Sequence, residues 1–554
     1  MKLLYTFLFS LFFTLSGYTQ DMTVPIPKHE VRAVWLTTIG GLDWPHSYYP
    51  EAQKRQLCTI LDKLQKANIN TILLQVRIRA TTIYPSVYEP FDACMTGRAG
   101  KSQSYDPLQF AIEECHRRGM EIHAWVVTIP IGKWNGVGCK QLRSRYPSLV
   151  KKIGDEGFMN PESYQTAEYL ADICGEITDR YDVDGIHLDY IRYPEIWKMN
   201  TSRQQGRENI TRIVRAIHKR VKTTKPWVKL SCSPIGKSDD LSRYSSNGWN
   251  AYTRVCQDAQ GWLQQGLMDQ LYPMMYFKDN HFFPFAIDWS ENAHGRTIVP
   301  GLGIYFLSPA EGKWQLEDIT RQMHVSRSLG MGQAFFRSRF LTDDTKGIYS
   351  FTANDFNRYP ALVPPMTWQS RFTPPPPFGL QTTKSGVQTT ISWHAPDAAE
   401  PLYYNVYAAN TCPVNTDDVR NLVATRLTGC SLSLSATTQG QEHYYAVTTM
   451  NRYGNESKAI QSHEPQMRAH SYSTIYINRN RTLTLPKKDS VTDADHIVFE
   501  TLSGIIVATR PYTDRPIDIH HLTDGVYVIR SVNRKGVTHR LGYFFKKTQE
   551  GNTH

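Results

Sequence analysis

Nine cysteines in 554 residues are too few for a dense disulfide framework, and they include no Cys-x-x-Cys pair. Histidines do not fall at paired ligand spacing either, so no zinc site is expected. No Gly-rich phosphate turn follows a strand, which removes the usual mark of a nucleotide-binding sheet. A net charge of +11 suits anionic surfaces, but no dense Lys/Arg tract with interleaved aromatics occurs. Nucleic acid is therefore not the expected partner, and no metal or cofactor is implied. Beyond the N-terminus no apolar run is long enough for a membrane-spanning helix.

What is present is a globular composition, 40% apolar and 20% charged, at a length that predicts two to four domains. Aromatic residues reach 12%, with 31 Tyr and 12 Trp, which suits sugar stacking and aromatic-rich β-domains alike. Met1 and Lys2 precede an apolar run over residues 3–15 and a small-residue region ending near Gln20. That pattern predicts a secretory signal over residues 1–20 and an exported mature chain, periplasmic, surface-bound or secreted. Cys58, Cys115 and Cys174 fall on apolar helix faces and read as core. Cys94 and Cys139 follow successive strands and are predicted to bridge in an oxidising compartment; Cys412 and Cys430 could do likewise.

From Val31 the chain alternates strands and helices. Strands are predicted over residues 31–37, 71–77, 120–127, 183–189, 228–233, 268–277, 297–304 and 331–336. Leu57, Ile60, Leu61 and Leu64 mark one helix face, and Ile210, Ile213, Val214, Ile217 and Val221 another. Asp106-Pro107 caps a helix carrying Leu108, Ala111, Ile112 and Cys115. A further helix carries Ala167, Leu170, Ala171, Cys174 and Ile177, with Asn160 as its expected cap and Pro161 in its first turn. Eight such strands predict an α/β fold, a (β/α)8 TIM-type barrel over residues 28–371. Two small all-β sandwich domains are predicted beyond it, at 375–463 and 470–548. The prolines at 374–377 read as a stiff linker, so a chain ending near Arg371 is expected to fold alone.

The chain is organised around residues 184–194, Asp-Gly-Ile-His-Leu-Asp-Tyr-Ile-Arg-Tyr-Pro. Asp189 ends a short apolar strand, where a parallel barrel places its chemistry, whereas Asp184 starts that strand and faces away. Polar residues at the other strand ends complete a rim: Asp43, Arg77, Arg79, Glu89, His123, Trp125, Arg192, Ser233, Tyr272, Tyr276, Asp279, Tyr305, Arg337 and Ser338. Arginines, aromatics and carboxylates without a metal cage favour cutting or binding a polar, ring-shaped substrate. Glycoside cleavage needs two carboxyl groups. Asp189 is the first; Asp279, with Glu89 as its rival, is the second. Trp35, Arg77, Glu89, His123, Trp125, Arg192, Tyr276 and Arg337 are the expected substrate contacts.

Residues 31–38 (Val-Arg-Ala-Val-Trp-Leu-Thr-Thr) with Asp43-Trp-Pro45 resemble the start of the glycoside hydrolase-like family 10 proteins. So do Leu74-Gln-Val-Arg77, Tyr84-Pro-Ser86, Glu89-Pro90, Tyr105-Asp-Pro-Leu108, residues 118–125 and residues 184–194. The resemblance implies an exported bacterial glycosidase-type barrel acting on bacterial glycans, including peptidoglycan strands stripped of their peptides. A non-catalytic glycan-binding surface protein is the alternative. The central motif also resembles the chitinase signature Asp-Gly-x-Asp-x-Asp-Trp-Glu, but Ile191 stands where that signature has its proton-donating Glu. The substrate-assisted chitinase mechanism therefore does not carry over. Trp393, residues 444–447 (Tyr-Tyr-Ala-Val) and residues 451–455 (Asn-Arg-Tyr-Gly-Asn) resemble a fibronectin type III module. Residues 502–504 (Leu-Ser-Gly) and 522–527 (Leu-Thr-Asp-Gly-Val-Tyr) resemble the terminal β-domain of exported Bacteroidetes proteins. That domain implies a possible contact with export machinery.

Overall fold

A computed structural model describes residues 26–244, 246, 248–435, 443–463, 476–478, 482–485, 494–501, 504–534, 536 and 538–546. The expected signal segment at 1–20 lies outside them. Residues up to Ser462 form one compact unit and those from His463 a second.

The first unit begins with eight parallel strands: β1 (Arg32–Leu36), β2 (Thr71–Arg77), β3 (Glu121–Val127), β4 (Gly185–Asp189), β5 (Lys229–Cys232), β6 (Gln270–Leu271), β7 (Thr297–Ile298 with Gly301–Leu302) and β8 (Gln333–Phe335). Each pairs with the next, and β1 also pairs with β8, so the sheet closes. Closure runs through the two halves of β7. Its first half pairs with β6 and its second with β8. Pro300 between them has no N–H to give, yet its carbonyl accepts from Ala334. The predicted barrel is the observed one.

Strand parity divides the side chains. Val34, Leu36, Ile72, Leu74, Ile122, Ala124, Ile186 and Leu188 face the surrounding helices. Ala33, Trp35, Leu73, Trp125, Val127, Tyr272 and Ala334 fill the interior. Such alternation is forced by the period of two. Gly185 is required where it stands, because a Cβ there would lie 2.6 Å from the His123 ring.

The helices bury the predicted stripes: Leu57, Leu61 and Leu64 on Pro50–Lys66, and Ile210, Ile213, Val214, Ile217 and Val221 on Arg203–Thr224. Asp106 caps Pro107–Arg117 by accepting from Leu108 and Gln109. The next predicted cap is displaced. Helix Tyr164–Arg180 starts after Ser163, while Asn160 instead accepts from Glu162 N and, through its carbonyl, from Thr166. Between β3 and that helix lies a small antiparallel sheet of Pro130–Lys133, Val150–Ile153 and Glu156–Met159, absent from the sequence reading. None of the nine cysteines, all of them described, is bridged. Cys94 sits in the short helix Ala93–Thr96 and Cys139 in Val137–Arg145, packed where Gly157 leaves room for its sulfur. Both are buried, and the expected Cys94–Cys139 bridge is not formed.

Two further sheets belong to this unit. One joins Phe378–Ser385, Gln388–His394 and Ser431–Ser435; the other joins Leu422–Leu427, Tyr403–Ala409, Tyr444–Met450 and Ile460–Gln461. Ile391, Trp393, Tyr404, Val406, Tyr445 and Val447 pack between them. This sandwich is fastened to the N-terminal end of the barrel. Buried Arg426 reaches Asp184 Oδ1 at 2.6 Å and Glu121 Oε1 at 3.2 Å. Lys229 adds a second cation 2.8 Å from Glu121, and His116 Nε2 lies 2.8 Å from Asp184. Arg452 pairs with Asp182. The proline segment is strapped down rather than free: Asn451 donates to Phe372 O, Asn455 to Ser370 O and Thr449 to Pro375 O. A cut near Arg371 would thus strip Arg426 and Arg452 from the barrel's acids.

In the second unit, Ile506–Pro511, Ala494–Thr501, Gly525–Asn533 and Thr538–Lys546 form an antiparallel sheet. A smaller sheet joins Tyr476–Asn478, Thr482–Thr484 and Ile517–Asp518. Leu483, Ile497, Phe499, Ile519 and Ile529 make its core.

Burial opposes ionisation of Asp184, but Arg426 first and His116 next outweigh it and hold its carboxyl well below the usual range. A depressed carboxyl contributes stability above its unfolded value of about 4, and loses it as pH falls through the folded value. Arg426→Met should cost about 3–5 kcal/mol, the scale of an orphaned buried charge. It should also move the acid-unfolding midpoint to higher pH, since burial of Asp184 would then lose its strongest opponent. Urea melts of the full chain at neutral pH and an acid titration check both.

Candidate active site

The interior of the barrel is layered along its axis. At the N-terminal end His123 Nε2 lies 3.3 Å from Glu121. One layer up, Trp35 Nε1 donates to His187 Nε2 at 3.2 Å, so the proton of this neutral ring sits on Nδ1, 3.0 Å from Ser231 Oγ. Burial first, then His123, holds His187 well below its ordinary pKa. Trp35 meets His187, Tyr272 and Phe336 edge-on, at centroid distances of 5.8–6.0 Å. These groups form the packed support of the site above.

At the C-terminal end β4 stops at Asp189, which is 7% exposed. Its Oδ2 accepts from Trp125 Nε1 at 3.2 Å; its Oδ1 accepts from Ser233 Oγ at 3.0 Å and from Tyr190 N at 2.8 Å. Tyr190 delivers that N–H from a left-handed backbone, φ 53°, where a bulky residue is an outlier. Arg192 stacks on the Tyr190 ring 4.4 Å from its centroid and is held 2.8 Å from Glu195. Burial pushes the Asp189 carboxyl up; Ser233, Arg192, Tyr190 N–H and Trp125 oppose it without reversing the shift. Tyr276, whose hydroxyl is raised by burial and then by the Asp189 charge, packs against Phe336 and Tyr305. A hydrogen-bonded carboxyl that keeps its proton longer than an ordinary Asp, beside aromatic rings, is equipped to give a proton to a leaving oxygen.

The structure therefore gathers Asp189, Trp125, Arg192 and Tyr276 from the expected set. It disperses the rest. Arg77 and Glu89 form a buried fork at 2.7 and 2.8 Å, with Tyr169 on Glu89 and the Val127 and Thr128 carbonyls on Arg77. Every polar atom of that pair is taken up inside the wall. Trp35 is 2% exposed and His123 fully buried, so both are core beneath the site rather than sugar contacts. Arg337 binds Asp43, whose other oxygen accepts from Thr37, and this bracket ties the loop after β1 to the loop after β8. Asp279 lies on the short turn Asp279–His281, its side chain 63% exposed, with Arg321 at 4.0 Å. Sequence reasoning missed Glu195, which directly follows the central motif; it pairs with Arg192, whose charge also acts on Asp189.

A separate groove lies between the loop after β1, helix Pro50–Lys66 and the segment after β8. Among the described residues, Asp189 combines a strand tip, a carboxyl raised by burial and three convergent hydrogen-bond donors.

The Glycosyl hydrolase-like 10 family pattern matches residues 30–205 and 200–306. Over 475 residues the chain is 28% identical to the glycosyl hydrolase YngK of Bacillus subtilis, covering 78% of this chain and 92% of that one. It is 30% identical over 302 residues to the glycosyl hydrolase DigH of Escherichia coli K12, covering 47% of this chain and 69% of that one. Among solved structures, the PgaB (BpsB) glycoside hydrolase domain from Bordetella bronchiseptica aligns at 12% identity and a TM-score of 0.43, over 59% of this chain and 98% of that one.

Ser233→Ala removes a donor that favours the charged carboxylate, so Asp189 should ionise at higher pH than in the wild type. Infrared titration of the carboxyl band that Asp189→Asn abolishes reads that shift directly. A shift to lower pH would mean that Ser233 does not donate to Asp189.

Proposed function

Because the chain belongs to the glycosyl hydrolase-like 10 family, we propose that it is an exported hydrolase cleaving glycosidic bonds of a bacterial cell-wall polysaccharide, peptidoglycan-type or related. The observation that carries this reading is Asp189, a buried carboxyl raised by its surroundings at the tip of a barrel strand. Asp189 acts as proton donor to the leaving oxygen, and Trp125 and Ser233 hold its orientation. Tyr190 and Tyr276 offer ring faces and edges to a sugar. Glu195, held by Arg192, is the second carboxyl, acting on water or on the sugar carbon opposite the leaving group.

The signal-like residues 1–20 support export to the periplasm, the outer-membrane surface or the medium. The three-plus-four strand order supports a fibronectin type III-like sandwich at 375–463, and residues 470–548 would be a Bacteroidetes-type β-domain that engages export machinery. One observation favours the alternative, a non-catalytic glycan-binding protein. Glu89 is consumed by Arg77 and Asp279 lies exposed beside Arg321, so neither sequence-predicted second acid joins Asp189.

Release of reducing ends from purified glycans, foremost peptidoglycan strands stripped of peptides, separates the two readings. Asp189→Asn should lower turnover by at least about a hundredfold, the scale of a lost acid/base group, with an unchanged near-UV spectrum. Normal turnover in that variant would remove Asp189 from the chemistry. Glu195→Gln should be nearly as severe, whereas Asp279→Asn should lose little. The reverse ranking would restore Asp279 as the second acid.

A further inference from the structure

The groove outside the Asp189 site has a volume of about 870 Å³, within the range of about 300–1,000 Å³ usual for ligand sites. One wall is the face of helix Pro50–Lys66 that bears Arg55, Thr59 and Lys63. The opposite wall is the segment after β8, with Ser338 and Arg339. Gly40 and Gly41 both have left-handed backbones, and a Cβ on either would meet nothing within 4 Å, so bare backbone faces open space. Leu42, 45% exposed, adds an apolar strip for the C–H face of a sugar.

The charges of the groove do not cancel. Asp43 is spent on Thr37, Arg337 and the Arg339 N–H, and Asp343 lies 3.4 Å from Arg339. Arg55 and Lys63 remain; Lys63 gives one proton to Thr342 O and keeps two. Ser338 forms part of the groove's wall; it is 1% exposed, and its hydroxyl, enclosed by protein atoms, has no hydrogen-bond partner among the described residues. One chain segment serves both the groove and the site's wall. Phe336 packs on Tyr276 and Trp35, and two residues later Ser338 lines the groove.

Arg55 and Lys63 are eight residues apart on one helix, about 12 Å along its axis. Cations spread so far do not converge on one compact anion such as phosphate. They suit single charges spaced along an extended polymer. We propose that this groove is an accessory subsite for a saccharide chain bearing a carboxylate on alternate sugars, with Arg55 and Lys63 each meeting one carboxylate. The subsite would hold the polymer beyond the part lying at Asp189, and in that respect it rests on the hydrolase reading.

The test uses the full chain carrying Asp189→Asn, so that ligand survives, and calorimetry with alternating N-acetylglucosamine–N-acetylmuramic acid strands freed of peptides. Methyl esterification of their carboxyls should weaken binding at least tenfold. The Arg55→Gln, Lys63→Gln double variant should bind both forms alike, with the thermal midpoint unchanged. Equal binding of acid and ester by the unmodified groove would overturn the proposal, as would discrimination that survives in the double variant. Displacement of the strand by equimolar inorganic phosphate would also overturn it. The two readings fail separately. If the wild type releases no reducing ends but discrimination depends on Arg55 and Lys63, the groove stands and hydrolysis falls. If turnover is present without discrimination, the groove falls alone.

Discussion

The five residues of β4 impose a constraint that reaches both ends of the barrel. A strand with parallel partners on both sides has no freedom to rotate, so alternate side chains must enter the lumen. Gly185, His187 and Asp189 enter; Ile186 and Leu188 face the helices. Asp184, just before the strand, lies in the charge cluster with Arg426, and Asp189, at its end, accepts three hydrogen bonds. A slip of one residue would put Ile186 and Leu188 in the lumen where His187 and Asp189 stand, and turn Asp189 into the helix layer. The site and the sandwich junction are thus fixed by one register.

The acids just before this strand and at its end show how neighbours decide the sign of a shift. Both are buried, and burial alone raises a carboxyl. At Asp184 a guanidinium at 2.6 Å and an imidazole at 2.8 Å reverse that tendency. At Asp189 the opposing groups are mostly neutral donors, and Arg192 makes no ion pair with it, so burial prevails. A carboxyl held ionised and a carboxyl that keeps its proton longer arise from the same residue type five positions apart.

Much of this was legible in the sequence. Continuous apolar runs such as residues 71–77 can only be strands covered on both faces, and stripes such as Leu57, Leu61 and Leu64 can only bury one helix face. The position of Asp189 followed from the strand it ends. Facing and pairing were not legible. That Glu89 is captured by Arg77, that His123 lies under the site rather than on its rim, and that Cys94 and Cys139 stay apart all depend on contacts that spacing does not encode. The small sheet over residues 130–159 was missed because strands of four residues leave too short an alternation to see. The proline run was read as a spacer from composition; its strapping depends on Asn451 and Asn455, about eighty positions downstream.

Fastening the sandwich through Arg426 bears on how such proteins can be recombined. Domain shuffling usually works at boundaries crossed by few contacts. Here an exchanged sandwich without a cation at that place would leave Glu121 and Asp184 facing an apolar seam, with only Lys229 and His116 to answer them. The acids at the foot of β3 and β4 and the arginine on a distant β-hairpin must therefore be inherited together. For shuffling, the unit is the barrel with its sandwich.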